Sequence, residues 1–184
     1  MSRQKPAGLG TFPLEFAALG LLFTSPKHGY LLYREFVEEF YLIWKAGQAN
    51  FYAALVRLED TSNVTVSLEA QEDNPPRKVF RVTETGRANF INWLNTPVDS
   101  MRAFRVEFLA RLRFFSLLGL PGADTLIQQE IVIVQHWLDE WSTDALSSNP
   151  ATAMVVDFRT RQAGMILDWL AACQAKIEQA TLPF

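Results

Sequence analysis

Residue types able to do covalent or metal chemistry are few in this chain, and their spacing is unfavourable. His28, His136 and Cys173 are too far apart in sequence to read as a metal-ligand set. There is no Gly-rich phosphate loop and no nucleophile paired with a base. The expectation is therefore no catalytic residue, no metal and no cofactor, with His28 structural at a helix start and His136 on a helix surface or interface. Non-covalent chemistry remains. Gln48 and Asn50 carry amides that donate and accept from one planar edge. Lys45, Arg57, Arg77 and Lys78 can pair with anions. Fourteen Phe, five Trp and four Tyr make the chain rich in aromatics. Of these, Phe104, Phe108, Trp137, Trp141, Phe158 and Trp169 fit either the lining of an aromatic pocket between helices or an interface core.

The elements that must position these residues follow from periodicity. Residues 1–13, with Pro6, Gly8, Gly10 and Pro13, predict a loose arm. Leu14 to Phe23 predicts a short apolar helix stopped by Ser25-Pro26, because proline disfavours helix in the residue before it. His28-Gly29-Tyr30 opens a second helix, in which Leu31, Tyr33 or Arg34, Val37 and Tyr41 share a face and Glu35, Glu38 and Glu39 oppose it. Gly47 caps a third helix running to about Asp60, with Phe51, Leu55 and Leu58 inward. The period then changes to two. Val64, Val66 and Leu68 predict a strand, Gln71 to Pro76 a hairpin loop, and Val79 to Thr83 the returning strand. Thr83 and Gly86 start a fourth helix through Phe90, Trp93 and Leu94. Three helices, a hairpin and a helix is the order of a winged helix-turn-helix.

A junction falls near Pro97, giving an expected arm (1–13), a winged domain (14–97) and a helical domain (98–184). The helical part reads as three segments. The first spans Met101 to Leu118. The second carries a coiled-coil-like seam of Ile127, Ile131, Val134, Leu138, Trp141 and Ala145, which Asn149-Pro150 breaks. The third runs from about Ala151 to Ile177. The fold class expected is mainly α with a β-hairpin wing, the C-terminal antiparallel helices forming a dimer interface.

Composition constrains function less. Hydrophobic residues are 49% and charged residues 20%, ordinary for a globular chain. The net charge is −3. Residues 1–95 balance ten basic against ten acidic side chains, and the rest holds seven against ten. Composition alone does not suggest nucleic acid. The longest apolar run, Phe16 to Phe23, is too short to span a membrane and has no cleavage pattern behind it. A single cysteine fits a reducing compartment, so a cytoplasmic location is expected.

Several motifs in order resemble the PadR family of transcription regulators. Leu19-Gly20-Leu21-Leu22 followed by His28-Gly29-Tyr30 is similar to its opening. Phe51-Tyr52-Ala53-Ala54-Leu55-Val56-Arg57-Leu58-Glu59 resembles its recognition helix. Pro76 to Arg87 resembles its wing and the following helix start, and Trp93-Leu94 its closing residues. Ala53 stands where many members have proline, Phe80 where tyrosine is usual, and Ser62-Asn63 where a glycine commonly ends the helix. Asn63 tolerates left-handed angles and is expected to take that role.

The resemblance implies a DNA-binding regulator, a repressor acting on a two-fold operator as a homodimer and released by a small aromatic effector. The third helix would enter the major groove and the wing would follow the backbone. Gln48 and Asn50 then suit adenine, while Ala49, Ala53 and Val56 suit thymine methyls. Lys45, Tyr52, Arg57, Arg77 and Lys78 suit phosphates. The effector would lie among the six aromatics named above. The rival expectation is a winged-helix interaction module without specific DNA binding, which the neutral N-terminal half favours.

Overall fold

The computed structural model describes residues 13–70, 76–144 and 149–179. The expected N-terminal arm, most of the hairpin loop and the seam residue Ala145 lie outside the described residues. The chain forms α1 (Leu14–Leu21), β1 (Lys27–His28), α2 (Gly29–Phe40), α3 (Gln48–Asp60), β2 (Val64–Glu69), β3 (Arg77–Val82) and α4 (Glu84–Leu94). A further helix begins as α5 (Met101–Ala103), takes a π turn through Phe104–Phe108 and continues as α6 (Leu109–Leu118). Then come α7 (Ala123–Asp144) and α8 (Pro150–Glu178). The fold is mainly helical, a winged helix-turn-helix with long C-terminal helices.

Apolar on every side, α1 is buried along its whole length, Glu15 included. It stops at Leu21, two residues before the expected end. There Lys27 Nζ donates to the Leu21 carbonyl at 2.8 Å and to Glu35 at 2.6 Å, placing a cation at the helix C-terminus. Lys27 and His28 form a strand, where the sequence predicts His28 as part of a helix. They pair with Phe80 and Val79, so the antiparallel sheet has three strands in the order β1-β3-β2. Two residues are too few for an alternation to register.

The face expected for α2 is corrected. Leu32, Phe36 and Phe40 are buried, while Val37 and Tyr41 are exposed. Two stripes overlap on this helix, and the one with two phenylalanines removes more apolar area from water. Phe36 stacks on Phe40 and meets Phe51 of α3 at 5.1 Å. In α3, Phe51, Leu55 and Leu58 are inward as expected, joined by Ala54. The helix end differs in one residue. Ser62, not Asn63, holds the left-handed conformation, at φ 56°. Asn63 is buried instead, donating to Thr61 and accepting from Asn89 at 2.7 Å. A buried amide with hydrogen-bond partners is worth more there than at an exposed turn.

Val64 pairs with Val82, Val66 with Phe80 and Glu69 with Arg77. The returning strand therefore starts at Arg77 and ends at Val82. Thr83 leaves the strand to cap α4, accepting the Gly86 N–H at 3.0 Å. Gly86 has no alternative, since a Cβ there would overlap the Asn63 carbonyl.

The chain divides into two compact units, Met1–Asn95 with Arg105–Phe114, and Thr96–Phe104 with Phe115–Phe184. Residues 105–114 join the first unit through Phe114, which meets Phe40, Phe90 and Trp93. It fits because residue 20 is glycine; a Cβ there would overlap the Phe114 ring. In the second unit α7 packs along α8. Ile127 and Val134 of the expected intersubunit seam are fully buried within the single chain. Asn149 caps α8, its Oδ1 accepting from Ala151 N–H at 2.9 Å with Pro150 at the first helical position. Glu130, buried on α7, accepts from the Val98 N–H at 3.0 Å. No helix among the described residues is long and apolar enough to cross a membrane.

Candidate nucleic-acid interface

With Phe51, Ala54, Leu55 and Leu58 turned inward, α3 must show the rest of its circumference to solvent. Gln48, Ala49, Asn50, Ala53 and Val56 are all exposed, and Lys45 is exposed just before the helix. The two amides sit in the first turn, where a helix entering a groove brings side chains nearest to base edges. Gly47 is extended and offers no side-chain cap, so Gln48 and Asn50 share the free helix start.

Two expected phosphate contacts have other partners. Tyr52 is half-buried, its ring lying across the start of α2, where a Cβ on Gly29 would come within 3.0 Å of Tyr52 Cε1. Arg57 donates through Nε to Glu15 Oε1 at 2.6 Å, tying α3 to α1. Both side chains hold the domain together as well as facing its surface. Arg77 and Lys78 on β3 are exposed beside α3. Lys78 Nζ lies 3.9 Å from Glu59 Oε2, but both side chains are open to water, which makes the pair weak.

The structure also brings in residues that sequence reasoning left out. His28, Gly29, Tyr30, Glu59 and Phe80 line a hollow of about 310 Å³ together with Tyr52, Val56, Arg77 and Lys78. The first three stood out in the sequence only as a motif opening α2. Their meeting with β3 depends on the short β1 strand.

The six aromatics expected around an effector do not all come together. Phe108 is in the core of the first unit. In the second, Phe104 meets Trp169 edge-on at 6.1 Å, and Trp137 stacks on Trp141 at 6.3 Å. Phe158 is exposed on α8. His136 is also exposed, 3.4 Å from Glu140. Partial burial pushes the Cys173 thiol up, away from its reactive form. Among the described residues no group of His, Cys, Asp or Glu could hold a metal ion.

Residues 18–92 match the model of the transcriptional regulator PadR-like family. The chain is 26% identical over 118 residues to the negative transcriptional regulator PadR of Bacillus subtilis, across 64% of this chain and 65% of that protein. It is 28% identical over 92 residues to the "Probable transcriptional regulator Rv1176c" of Mycobacterium tuberculosis, across 50% of this chain and 49% of that protein. The chain thus matches just under two thirds of the first relative's length and half of the second's. Among solved structures it is similar to Bacillus subtilis PadR in complex with operator DNA, with a TM-score of 0.48, 21% identity, and coverage of 90% of this chain and 98% of that one. The matched residues span the second half of α1, all of α2 and α3, strands β1 to β3 and most of α4. Over these elements the chain matches the PadR-like family of transcriptional regulators.

Proposed function

We propose that this chain is a sequence-specific DNA-binding repressor that acts as a homodimer on a two-fold operator. The family is one of regulators rather than of enzymes. The observation that carries the proposal is the exposed arc of α3, Gln48, Ala49, Asn50, Ala53 and Val56, beside the wing cations Arg77 and Lys78 in one domain. Short apolar side chains and amides on one helix face suit base edges and thymine methyls. The cations suit phosphates. A repressor, rather than an activator, is favoured by the Bacillus subtilis relative, which is a negative regulator.

In this proposal residues 14–97 read DNA, and residues 98–184 dimerise and hold a small aromatic effector among Phe104, Trp137, Trp141, Phe158 and Trp169. Dimerisation is supported by α8. Met154, Phe158, Met165 and Trp169 recur at steps of four, seven and four, placing them along one helix face, and all are exposed. Single chains seldom leave such a stripe to water, and a second copy of α8 would cover it. Two subunits would also double the few cations available for DNA. Binding to the upstream region of its own gene, compared with random duplex across a salt series, tests the proposal. A clear preference for the promoter, weakening with salt, is expected. No preference would leave a winged-helix interaction module, which the engagement of Arg57 by Glu15 would then favour.

A further inference from the structure

The three-stranded sheet has two outer strands, and they are built differently. One is β1, only two residues long, and a strand that short offers little to a neighbour. The other is β2, six residues reading Val-Thr-Val-Ser-Leu-Glu. It holds no lysine and no proline, and its pairing with β3 runs through all six residues without a bulge. Shortness, lysine, proline and bulges are the usual devices that blunt an exposed edge, and β2 has none of them. The Thr83 N–H donates to the Asn63 carbonyl, continuing the register of Val64 with Val82. Antiparallel pairs alternate between those that exchange backbone hydrogen bonds and those that do not. Thr65, Ser67 and Glu69 therefore bond to β3, while Val64, Val66 and Leu68 turn their N–H and carbonyl groups to the open side. Val64 is buried, but Val66 is half-buried and Leu68 is 67% exposed. Neither Val66 nor Leu68 has a backbone partner on that side among the described residues.

We propose that this edge pairs with the β2 edge of a second copy of the chain, antiparallel, with Ser67 on the two-fold axis. That register sets Val66 against Leu68 of the second copy, and each such pair exchanges both backbone hydrogen bonds. Ser67 meets Ser67, and Thr65 meets Glu69. Apolar side chains thus face apolar ones, hydroxyls face a hydroxyl or a carboxylate, and no like charges are opposed. Charge supports the same register. Arg81 lies beside Thr65 within the chain, is exposed, and makes no ion pair among the described residues. Across the short Thr65 it reaches toward Glu69 of the second copy. A register centred on Val66 would instead need the buried edge of Val64. It would also set Glu69 against Asn63, whose amide is already engaged by Thr61 and Asn89.

A contact only a few residues wide is too small to hold free chains together at low concentration. It gains where two chains are held side by side and their effective concentration rises. One consequence rests on the DNA-binding and dimer proposals above: α8 joins two chains, and β2 joins one dimer to the next on adjacent DNA sites. Arg77 and Lys78 belong to β3, one strand in from this edge, and stay available to phosphates.

The test is disulfide trapping of the full chain without DNA, in a Cys173→Ser background that removes its one native cysteine. Single cysteines replace Thr65, Val66, Ser67, Leu68 and Glu69 in turn. Only a residue on the axis meets its own copy, and in a pair without backbone bonds the Cα atoms are about 4.5 Å apart, within disulfide reach. Ser67→Cys should therefore cross-link at least about tenfold faster than the other four. Adding Leu68→Pro should slow that cross-link by a similar factor, because it removes an N–H that faces the open edge. The bonds to β3 do not use that group, so the melting temperature should stay near the parent's. The unaltered chain gives a second readout. Amide exchange at Val66 and Leu68 should slow as protein concentration rises, while Thr65 and Ser67 do not change. No trapping, equal rates at all five positions, or fastest trapping away from residue 67 would each overturn the proposal, as would concentration-independent exchange at Val66 and Leu68. No trapping would leave the edge to a strand of another protein. Because no DNA is present, these failures remove the contact and leave the DNA-binding proposal standing. A chain that is trapped at residue 67 but shows no promoter preference keeps the contact and loses its role on DNA.

Discussion

Arg57 on α3 donates from Nε to Oε1 of Glu15 on α1 at 2.6 Å, although Glu15 is 1% exposed and Arg57 is 45% exposed. The pair thus has one buried end and one wet end. Glu15 sits in a helix with no polar face, and its Oε2 has no hydrogen-bond partner among the described residues. Such a carboxylate is tolerated only with a cation within reach. Arg57 therefore fixes how α3 lies on α1.

Replacing Arg57 by Ala should lower stability in urea by about 1–3 kcal/mol, because a buried acceptor loses its charged donor. Glu15→Gln in the same background should recover part of the loss, since a neutral amide is cheaper to bury than a carboxylate. An unchanged urea midpoint for R57A would show that Glu15 finds another partner.

Much of the first unit was legible because its signals are local. Phe51, Leu55 and Leu58 repeat at helical spacing, and Val64, Val66 and Leu68 alternate; in the second unit Asn149-Pro150 marks a helix start in the same local way. What escaped is long-range or too short to show a period. β1 is two residues whose strand partners lie about fifty positions on, at Val79 and Phe80. The inward face of α2 was decided by Phe51 and Phe114, which its own periodicity cannot represent. Arg57 looked like a free surface cation because its partner lies 42 residues earlier. The α3–wing hollow needs β1, α2, α3 and β3 together, so no single motif announces it.

Ser62 holds φ 56° at the end of α3, a conformation that costs a non-glycine residue roughly 1–2 kcal/mol. Ser62→Gly removes that strain but adds unfolded-state entropy. The net expectation is a gain of up to about 1 kcal/mol, read as a raised urea midpoint with unchanged slope. A destabilised glycine variant would mean that the Ser62 side chain itself holds the turn.

The wing should contribute affinity without selectivity. Changing Arg77 and Lys78 together to Ala is expected to weaken promoter and random duplex alike. It should also flatten the salt dependence by about two units of slope, since each lost phosphate contact releases fewer counterions. Identical salt plots for variant and parent would remove the wing from the interface.

Dimerisation should reside on α8. Phe158 and Met165 are exposed in the single chain, so Phe158→Glu with Met165→Glu should leave the fold intact and produce a monomer in sedimentation. Ile127→Glu on α7 should unfold the second unit instead, because Ile127 is fully buried within one chain. A Phe158/Met165 double variant that remains dimeric would move the interface elsewhere.

Asn50 separates reading of sequence from mere attachment to DNA. It is exposed in the first turn of α3, and Gly47 before it supplies no side-chain cap. An amide so placed can pair with adenine through two hydrogen bonds, or it can help satisfy the free N–H groups of the helix start. The two roles predict different losses for Asn50→Ala. A reader of bases should lose about 1–3 kcal/mol at the cognate site while random-duplex affinity and melting temperature stay near the parent's. A helix-start role should lower the melting temperature and leave the cognate-to-random ratio unchanged. Both quantities are measured on the same variant, so each outcome is decisive. The first is expected, because the neighbouring exposed side chains, Ala49 and Ala53, are short enough to let the helix backbone approach the groove floor.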